Sequence, residues 1–519
     1  MDLELVIQII IYILIFFSMS TYLLVVLIYF GFITLISLLT RKVASRSAAD
    51  YLVAGRNLGV IACAVVVASE WLGGMSTIGV SEKAFESGTM QPILYNISTA
   101  LGMIIIGFTV ARHYRKNNVH TVSEMLENLF GRRARTVSAV AFLFAYIVLA
   151  FVQLQTASAV ISAMFDVNWL YSVLIASLLI TLYTYFGGMH ALAITGIMHV
   201  VVMFAGIGIA TWIGVGDIGG FAALKDNMVS QGAPENLYNP FSGGLSYAWS
   251  LILGGVLGGM AGQASIQPIF AARSASIAKK AAIFSSLIIA PFGIMVALLG
   301  LVAKTGKYFS ISDATSPLWD TATSAINPKM VLPTLMTTPD FIHPVLGGIA
   351  LAGILAAILS TVGPVNFAVV TIATKDIYHG IINKTAVDKK IISTARKLVI
   401  LVNLMTIPLA YYSTGAILSM AYISYGIRAI GAIVIIMGIY KRGWISTDGV
   451  RWAFIGGTVA VGVNIAAKLM GWWNIEDTYM AIGAAVVFIM LGNLYANNKL
   501  NRLRSKSARI KIFPKKDIH

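Results

Sequence analysis

The chain has 519 residues, of which 58% are hydrophobic and only 11% are charged, and its mean hydropathy is +0.83. Soluble proteins carry about 25% charged residues, so the composition excludes a soluble protein and indicates a polytopic membrane protein. The net charge of +16 does not indicate nucleic-acid binding, because the basic residues alternate between loops instead of lining one face. The single cysteine, Cys63, lies in an apolar run, and one cysteine cannot form a disulfide within the chain.

Hydrophobic runs of about 18 or more residues predict membrane helices. The first run is long enough for two helices with a break at residues 18–21, although one tilted helix is favoured because no charge separates its halves. The predicted fold class is therefore all-α, with about 13 transmembrane helices. The segments are 5–40, 59–82, 91–112, 136–164, 168–187, 190–214, 246–270, 281–303, 345–372, 396–412, 415–440, 452–471 and 478–497.

The lysines and arginines predict how these segments are oriented. Alternate loops, together with the C-terminal tail, hold 30 of the 37 basic residues, and the intervening loops hold five. Basic loops face the cytoplasm by the positive-inside rule, which places the N-terminus outside and the C-terminus inside. The basic set comprises residues 41–58, 112–135, 273–280, 375–397, 441–451 and 499–519.

Glycine pairs mark the second and seventh segments, with Gly73-Gly74 in one and Gly254-Gly255 and Gly258-Gly259 in the other. Adjacent glycines let a membrane helix unwind locally, and secondary transporters build binding sites from such paired interrupted segments. The second and seventh segments are five segments apart. Because five is an odd number, they cross the membrane in opposite directions, which predicts two inverted repeats. The predicted regions are 1–58 (N-terminal helix and loop), 59–215 and 245–440 (two five-helix repeats), 441–498 (two C-terminal helices) and 499–519 (basic tail).

Five motifs then occur in a recognisable order: Asp50–Gly59, Thr121–Leu126 with Phe130–Arg133, Tyr185–Met189, Gln263 to Ser274, and Ala356–Thr361 continuing to Tyr378. This combination resembles the sodium:solute symporter family, including bacterial proline and sugar sodium symporters. The resemblance implies a LeuT-type fold with five plus five inverted helices. It also implies co-transport of Na⁺ with a small organic solute.

The resemblance further implies a cation site between the second and ninth segments. Ala357, Ser360 and Thr361 match the family's "AxxSS" turn, and residues i, i+3 and i+4 share one helical face. Without the resemblance, a hydrogen bond to the i−4 carbonyl would be the commoner role for such hydroxyls. The partner carbonyls are Ala68 and Trp71 if Ala-Ser-Glu is matched to the family's "ASD", or Ser69 and Leu72 on an ungapped count from Arg56.

Three ionisable residues are predicted to tune coupling. Glu70 in an apolar segment costs several kcal/mol unless it faces water, a cation or a partner, and Arg428 on the eleventh segment is a candidate partner. After Thr195 many members have Asp and Gln, where this chain has Gly196 and His199. The lost charge argues against a second Na⁺, and His199 leaves coupling to H⁺ as an alternative.

The solute is predicted to bind between the unwound parts of the second and seventh segments. Small-molecule pockets are usually apolar clefts with a few well-placed polar groups. The candidate residues are Gly73, Gly74, Met75, Gly259 and Gln263, with Gln153 and Gln155 adding hydrogen bonds from the fourth segment.

The predicted function is import of an amino acid, sugar, carboxylate or similar solute, coupled to Na⁺ by alternating access in the cell membrane. A proton-coupled symporter of the same fold is the alternative. A transporter-like sensor is disfavoured because the tail of about twenty residues has no room for an output domain. An enzyme is disfavoured because no HExxH motif, nucleophile elbow or Walker loop occurs. No cofactor is expected beyond the transported Na⁺.

Overall fold

A computed structural model describes residues 21–44, 56–117, 119–165, 167–320, 324–413 and 415–511. The beginning of the first predicted run, with its predicted break, lies outside these ranges, as do residues 50–55 of the first motif and the end of the basic tail.

The described chain is almost entirely helical, because apolar segments in a bilayer must satisfy their own backbone hydrogen bonds. The helices of the first half are α1 Thr21–Ala44, α2 Val60–Trp71, α3 Val80–Ser87, α4 Leu94–Phe108, α5 Ala111–Lys116, α6 Val122–Phe130, α7 Arg132–Phe165, α8 Trp169–Ile218 and α9 Gly220–Ser230. Those of the second half are α10 Leu245–Met260, α11 Gln263–Phe270, α12 Ala275–Lys304, α13 Val331–Thr337, α14 Pro344–Thr371, α15 Asp388–Tyr412, α16 Ile417–Tyr440, α17 Thr447–Leu469 and α18 Asp477–Lys511.

Short irregular pieces join these helices. A two-stranded antiparallel hairpin pairs β1, Trp319–Asp320, with β2, Ala325–Ile326, so that Trp319 lies opposite Ile326. A π-helical turn, Met75–Gly79, precedes α3, and a longer one, Ile372–Ile382, continues α14.

The described residues do not confirm the predicted count of about 13 membrane helices. In the described ranges nine helices are long and apolar enough to cross a membrane, and two bent pairs raise the number to eleven. The segments predicted at 168–187 and 190–214 form one uninterrupted helical element, α8. Gly187-Gly188 does not end that helix, because glycine also adopts helical backbone angles.

The two segments with glycine pairs are the two bent pairs. Val60–Trp71 and Met75–Ser87 meet at 56°, and Leu245–Met260 and Gln263–Phe270 meet at 40°. The first break falls at Leu72 to Gly74, and the second at Ala261 and Gly262. Pro268 lies within α11, and the thiol of Cys63 donates to its carbonyl at 3.1 Å.

Burial places α14 at the centre of the bundle. In its most apolar stretch 83% of the residues are buried, against 33% in α15 and α17 and 22% in α18. Leu404, Val459 and Leu469 are among the exposed apolar side chains on these outer helices. Such an apolar surface suits contact with lipid.

Two predicted boundaries differ from the structure. Helix α15 begins at Asp388 instead of 396, and α18 continues to Lys511, well into the predicted tail. The apolar stretch 331–336 is fully buried in α13 and packs against α3, α7, α12 and α14.

The loops that the sequence assigns to one side of the membrane contact one another. The backbone of Leu58 is hydrogen-bonded to two residues after α11: Leu58 N donates to the Ala271 carbonyl at 3.0 Å, and Arg273 N donates to the Leu58 carbonyl at 2.9 Å. Arg115 donates to the carbonyl of Ala272. We call this end of the bundle, formed by the lysine- and arginine-rich loops, the basic end.

Glycine at the first break allows a close approach of α7. A methyl group added at Gly74 would lie 2.1 Å from the Thr156 hydroxyl oxygen, and one at Gly73 would lie 2.1 Å from that of Thr361. Both distances are far below van der Waals contact, so each glycine is required for the packing of the neighbouring helix.

We predict that Gly74→Ala destabilises the protein by about 1–3 kcal/mol through overpacking. The matched control is Gly462→Ala on α17, where an added methyl group meets nothing within 4 Å. The control should be neutral or should stabilise by up to about 1 kcal/mol, because alanine favours helix over glycine. Thermal unfolding in detergent measures both variants, and equal unfolding temperatures would contradict the packing argument.

Candidate functional site: two broken helices around α14

The carbonyls at the end of α2 meet hydroxyls from the middle of α14. Ser360 Oγ lies 2.7 Å from the carbonyl oxygens of both Ser69 and Ala357, either of which can accept its one hydroxyl proton. Thr361 Oγ1 donates to the carbonyl of Glu70 at 2.8 Å and contacts that of Ser69 at 3.2 Å. The break therefore brings five neutral oxygens from two distant stretches of chain into one buried cluster.

The two predicted sets of carbonyl ligands, Ala68 with Trp71 and Ser69 with Leu72, have different surroundings in this structure. The Ala68 carbonyl accepts Leu72 N at 3.0 Å within the helix, and the Trp71 carbonyl accepts Ser76 Oγ at 2.7 Å. The Ser69 carbonyl faces the α14 hydroxyls instead. Leu72 is the C-terminal cap of α2 and the first residue of the break.

Glu70 lies at the same break, with its side chain directed to the second broken span. Its Oε2 accepts a hydrogen bond from Ser265 Oγ at 2.8 Å, and only 3% of the residue is exposed. Arg428 is near enough to interact with this carboxylate through charge. Among the described ion pairs within 4.0 Å, however, none joins Glu70 to Arg428, so the predicted direct pair is replaced by the contact with Ser265.

Arg428 on α16 lies between the two breaks. Its Nε donates to the carbonyl of Gly258 at 2.8 Å. A methyl group added at Gly262, in the second break, would lie 2.0 Å from its Nη2. The centre of the guanidinium is 4.8 Å, 5.4 Å and 5.5 Å from the ring centroids of Tyr425, Tyr146 and Trp71.

Several residues predicted to bind solute do line the breaks. Gln153 Oε1 accepts the backbone N–H of Gly74 at 3.2 Å. The Met75 sulfur lies 3.6 Å from the hydroxyl of Tyr425. At the second break, an added methyl on Gly259 would lie 3.2 Å from the Trp71 ring, so the two breaks are in contact.

Two predicted glutamines lie elsewhere. Gln155 Nε2 donates to the carbonyls of Ala410 and Ser413, at the end of α15. Gln263 binds the segment that enters α6, because its Nε2 donates to His120 O at 2.9 Å and its Oε1 accepts from Val122 N at 2.8 Å. In this arrangement Gln263 tethers α11 to the basic end, and its amide is not available to a solute.

The residues predicted from the family departures lie around α8. Nδ1 of the buried His199 is hydrogen-bonded to the hydroxyl of Tyr29 on α1. Gly196 packs against the Ser69 side chain, since a methyl added there would lie 3.3 Å from Ser69 Oγ. A residue with a carboxylate at position 196 would therefore point at the first broken helix.

The sequence did not predict a network at the basic end centred on Arg135. Its guanidinium contacts the carboxylates of Asp376 at 2.9 Å, Glu127 at 2.7 Å and Glu124 at 3.2 Å. Thr121 also donates to Asp376 at 2.9 Å. Two of the motifs contain members of this network, but Arg135 and Asp376 are 241 residues apart in the sequence, and no local pattern links them.

Glu124 is held as a carboxylate in this network. Burial raises the pKa of its carboxyl, but hydrogen bonds from His120 and the charges of His120 and Arg135 outweigh burial and lower the pKa to about 2. A depressed pKa contributes stability above the carboxyl's ordinary pKa, and that stability is lost as the pH falls toward 2. The Glu124 carboxyl is therefore charged at neutral pH.

A helical bundle with two broken membrane spans in contact at its centre is the architecture of a secondary transporter. A model of the family described as "Sodium:solute symporter family" matches residues 51–457. This chain therefore belongs to the sodium:solute symporter family. It is a transporter of the Na⁺-coupled symporter class and not an enzyme.

Curated relatives and solved structures agree with this assignment. A sodium/proline symporter of Staphylococcus saprophyticus is 24% identical, covering 91% of this chain and 93% of the relative. A sodium/glucose cotransporter of Vibrio parahaemolyticus is 26% identical over 69% of this chain and 68% of the relative. A Na⁺-coupled sialic acid symporter, solved substrate-bound and outward-open, has a TM-score of 0.74 at 16% identity, covering 92% of this chain and 98% of its own.

We predict that Arg135→Gln loosens the basic end, because it leaves the fully buried Asp376 side chain without its cation. The native Cys63 reports on this, since its buried thiol bonds to α11. Labelling of Cys63 by N-ethylmaleimide should accelerate by about tenfold or more, as a loss of 1.4 kcal/mol or more implies.

Arg451→Gln serves as the control. It removes only the partly exposed pair with Asp448, and such pairs contribute about 0–1 kcal/mol. Similar labelling rates in the wild-type protein and both variants would refute a closing role for the Arg135 network.

Proposed function

We propose that the chain imports a small organic solute together with Na⁺, and that Na⁺ binds where the α2 break meets α14. The observation that carries this proposal is the convergence of the Ser69 carbonyl with the Ser360 and Thr361 hydroxyls within 3.2 Å. Na⁺ is a small hard cation, and such cations favour oxygen ligands. On binding, Na⁺ would replace the hydrogen bonds between the hydroxyls and the carbonyl. The hydroxyl protons would turn away, and the carbonyl and hydroxyl oxygens would coordinate the ion.

The proposed ligands are the carbonyls of Ser69, Leu72 and Ala357 with the hydroxyls of Ser360 and Thr361. This choice follows the ungapped alignment, because the Ala68 and Trp71 carbonyls are engaged within the broken span itself. The site joins one helix of each proposed inverted repeat, 59–215 and 245–440. A cation held there favours the conformation in which α2 and α14 are in contact, and this preference is what couples it to transport.

The proposed orientation has the basic end in the cytoplasm of the cell and the N-terminus outside. The positive-inside rule supports it, as does the contact among basic loops at one end of the bundle. The plasma membrane is the proposed location. In alternating access, the Arg135 network and the tether from Gln263 would open when the solute and Na⁺ leave inward.

We predict that Ser360→Ala weakens Na⁺ binding by about tenfold or more, because it removes one ligand oxygen of a cation. The measurement is the rise in unfolding temperature with NaCl, in exchange for N-methyl-d-glucamine chloride at constant ionic strength. Ser285→Ala is the matched control, since that buried hydroxyl bonds only to Ala282 on its own helix. An unchanged Na⁺ response in Ser360→Ala would exclude this site.

We predict that Glu70→Gln also weakens Na⁺ binding, because it removes a negative charge one residue from the Ser69 carbonyl while keeping the hydrogen-bonding shape. Na⁺-driven solute uptake in proteoliposomes should fall, with a higher Na⁺ concentration needed for half-maximal rate. Wild-type uptake and Na⁺ dependence in this variant would show that the carboxylate is structural.

Coupling to H⁺ is the second candidate, because His199 is a buried titratable group hydrogen-bonded to Tyr29. The two are separated by imposing either a Na⁺ gradient or a pH gradient on the same proteoliposomes. Accumulation with Na⁺ alone supports the first proposal, and accumulation with a pH gradient in Na⁺-free buffer supports the second.

A further inference from the structure

Buried hydrogen-bond donors without partners gather around the first break. Within the described part of the chain, Trp71 Nε1, Gln153 Nε2 and both Arg428 terminal nitrogens have no hydrogen-bond partner. Each of the three residues is at most 1% exposed. A buried donor without an acceptor costs about 1–3 kcal/mol, and more when it is charged, so this grouping calls for a function.

Three neighbouring acceptor atoms already have donors. Gln153 Oε1 accepts from Gly74, Glu70 Oε2 accepts from Ser265, and the Gly258 carbonyl accepts the Arg428 Nε. A ligand that fits these surroundings must therefore supply acceptors. A carboxylate matches the two Arg428 terminal nitrogens, because the guanidinium fork and the carboxylate form two parallel charge-assisted hydrogen bonds.

Arg428 lies between the two breaks, where the solute is proposed to bind. Its guanidinium lies against Gly262 in the second break and faces the Trp71 ring at the first break. The rings of Tyr146 and Tyr425 complete an aromatic enclosure around it. Such walls suit a ligand with a small apolar body beside its charged group.

Charge balance favours a net anionic ligand. Glu70 and Arg428 carry opposite charges at the breaks. The other buried ions also face opposite charges: Asp376 with Arg135 at 2.9 Å, and Asp477 with Lys468 at 3.1 Å. Glu82 likewise interacts with Lys329. Adding one Na⁺ leaves one uncompensated positive charge in a medium that disfavours it, and a monocarboxylate restores neutrality.

We propose that the transported solute is a small monocarboxylate whose carboxylate binds the Nη1 and Nη2 atoms of Arg428, with the Trp71 indole N–H as a further donor. This inference rests on the proposed function, since it places the solute beside the proposed Na⁺ site. The Na⁺ and the carboxylate then stabilise each other's binding, because each offsets the charge that the other brings between the breaks. Glu70 balances Arg428 when neither ligand is present.

The test compares acids with their neutral amides. The unfolding temperature of the purified full-length protein is measured in saturating Na⁺ with propionate, lactate, pyruvate or benzoate, and with propionamide or lactamide. Glucose, proline and choline represent neutral, zwitterionic and cationic solutes. Arg428→Gln and Arg428→Lys are measured alongside, each also with Na⁺ alone.

The expected result is that at least one monocarboxylate raises the unfolding temperature of the wild-type protein while its amide does not. Arg428→Gln should need at least about tenfold more of that acid, because the charge-assisted fork is lost. Arg428→Lys should lie between them, since lysine keeps the charge without the fork. If Arg428→Gln does not fold, the wild-type comparison of acid with amide still decides.

Three results would overturn the proposal: no monocarboxylate shifts the wild-type protein, an amide shifts it as much as its acid, or Arg428→Gln keeps the full response to the acid. The Na⁺ response separates this failure from that of the proposed function. A Na⁺ shift that is lost in Ser360→Ala upholds the cation site whatever the carboxylates do. Absence of that shift in the wild-type protein counts against the cation site itself.

Discussion

The structure depends on how the backbone freed by a helix break is satisfied in a medium without water. At the α2 break, backbone carbonyls lose the N–H donors that a continuous helix would supply. They accept hydrogen bonds from α14 hydroxyls instead, and the shortest of these joins Ser360 Oγ to the Ser69 carbonyl at 2.7 Å. These contacts require α14 to lie in the centre of the bundle, where 83% of its most apolar stretch is buried. They also require glycine beside the break, because Thr361 occupies the space a side chain would need. The feature that makes the break tolerable is thus the one that gathers oxygens suited to a cation.

The buried charges follow a related constraint. Glu70 is hydrogen-bonded to the second broken span through Ser265, and Arg428 reaches the same span through Gly258. Glu70 therefore joins the two broken spans, and Arg428 joins α16 to the second of them. The three aromatic rings around Arg428 partly replace water for its guanidinium, as cation–π contacts do. Its two terminal nitrogens are still left for an acceptor.

The basic end closes the bundle by a different means. There the contacts are ion pairs and backbone bridges from five stretches of chain, with Arg135, Gln263 and Leu58 as the connecting residues. Asp376 is buried, but the Glu124 and Glu127 side chains are partly exposed, and such charges exchange for hydration at a lower cost than contacts at the centre of a membrane. This difference makes the basic end suited to opening and the α2–α14 contact suited to sensing a bound ion.

The sequence by itself determined the membrane class, most of the helical segments, the two spans that would be interrupted and the family. These properties rest on hydropathy, glycine pairs and short motifs, all of which are local along the chain. It also drew attention to Ala357, Ser360, Thr361, Glu70 and Arg428, although their roles remain predictions. The tertiary structure decided which carbonyls meet the α14 hydroxyls, that Gln155 and Gln263 turn away from the breaks, and that Arg135 joins Asp376. Those contacts span up to about 290 residues, and a hydrogen bond between such distant groups is fixed only when packing sets the rotation of each helix.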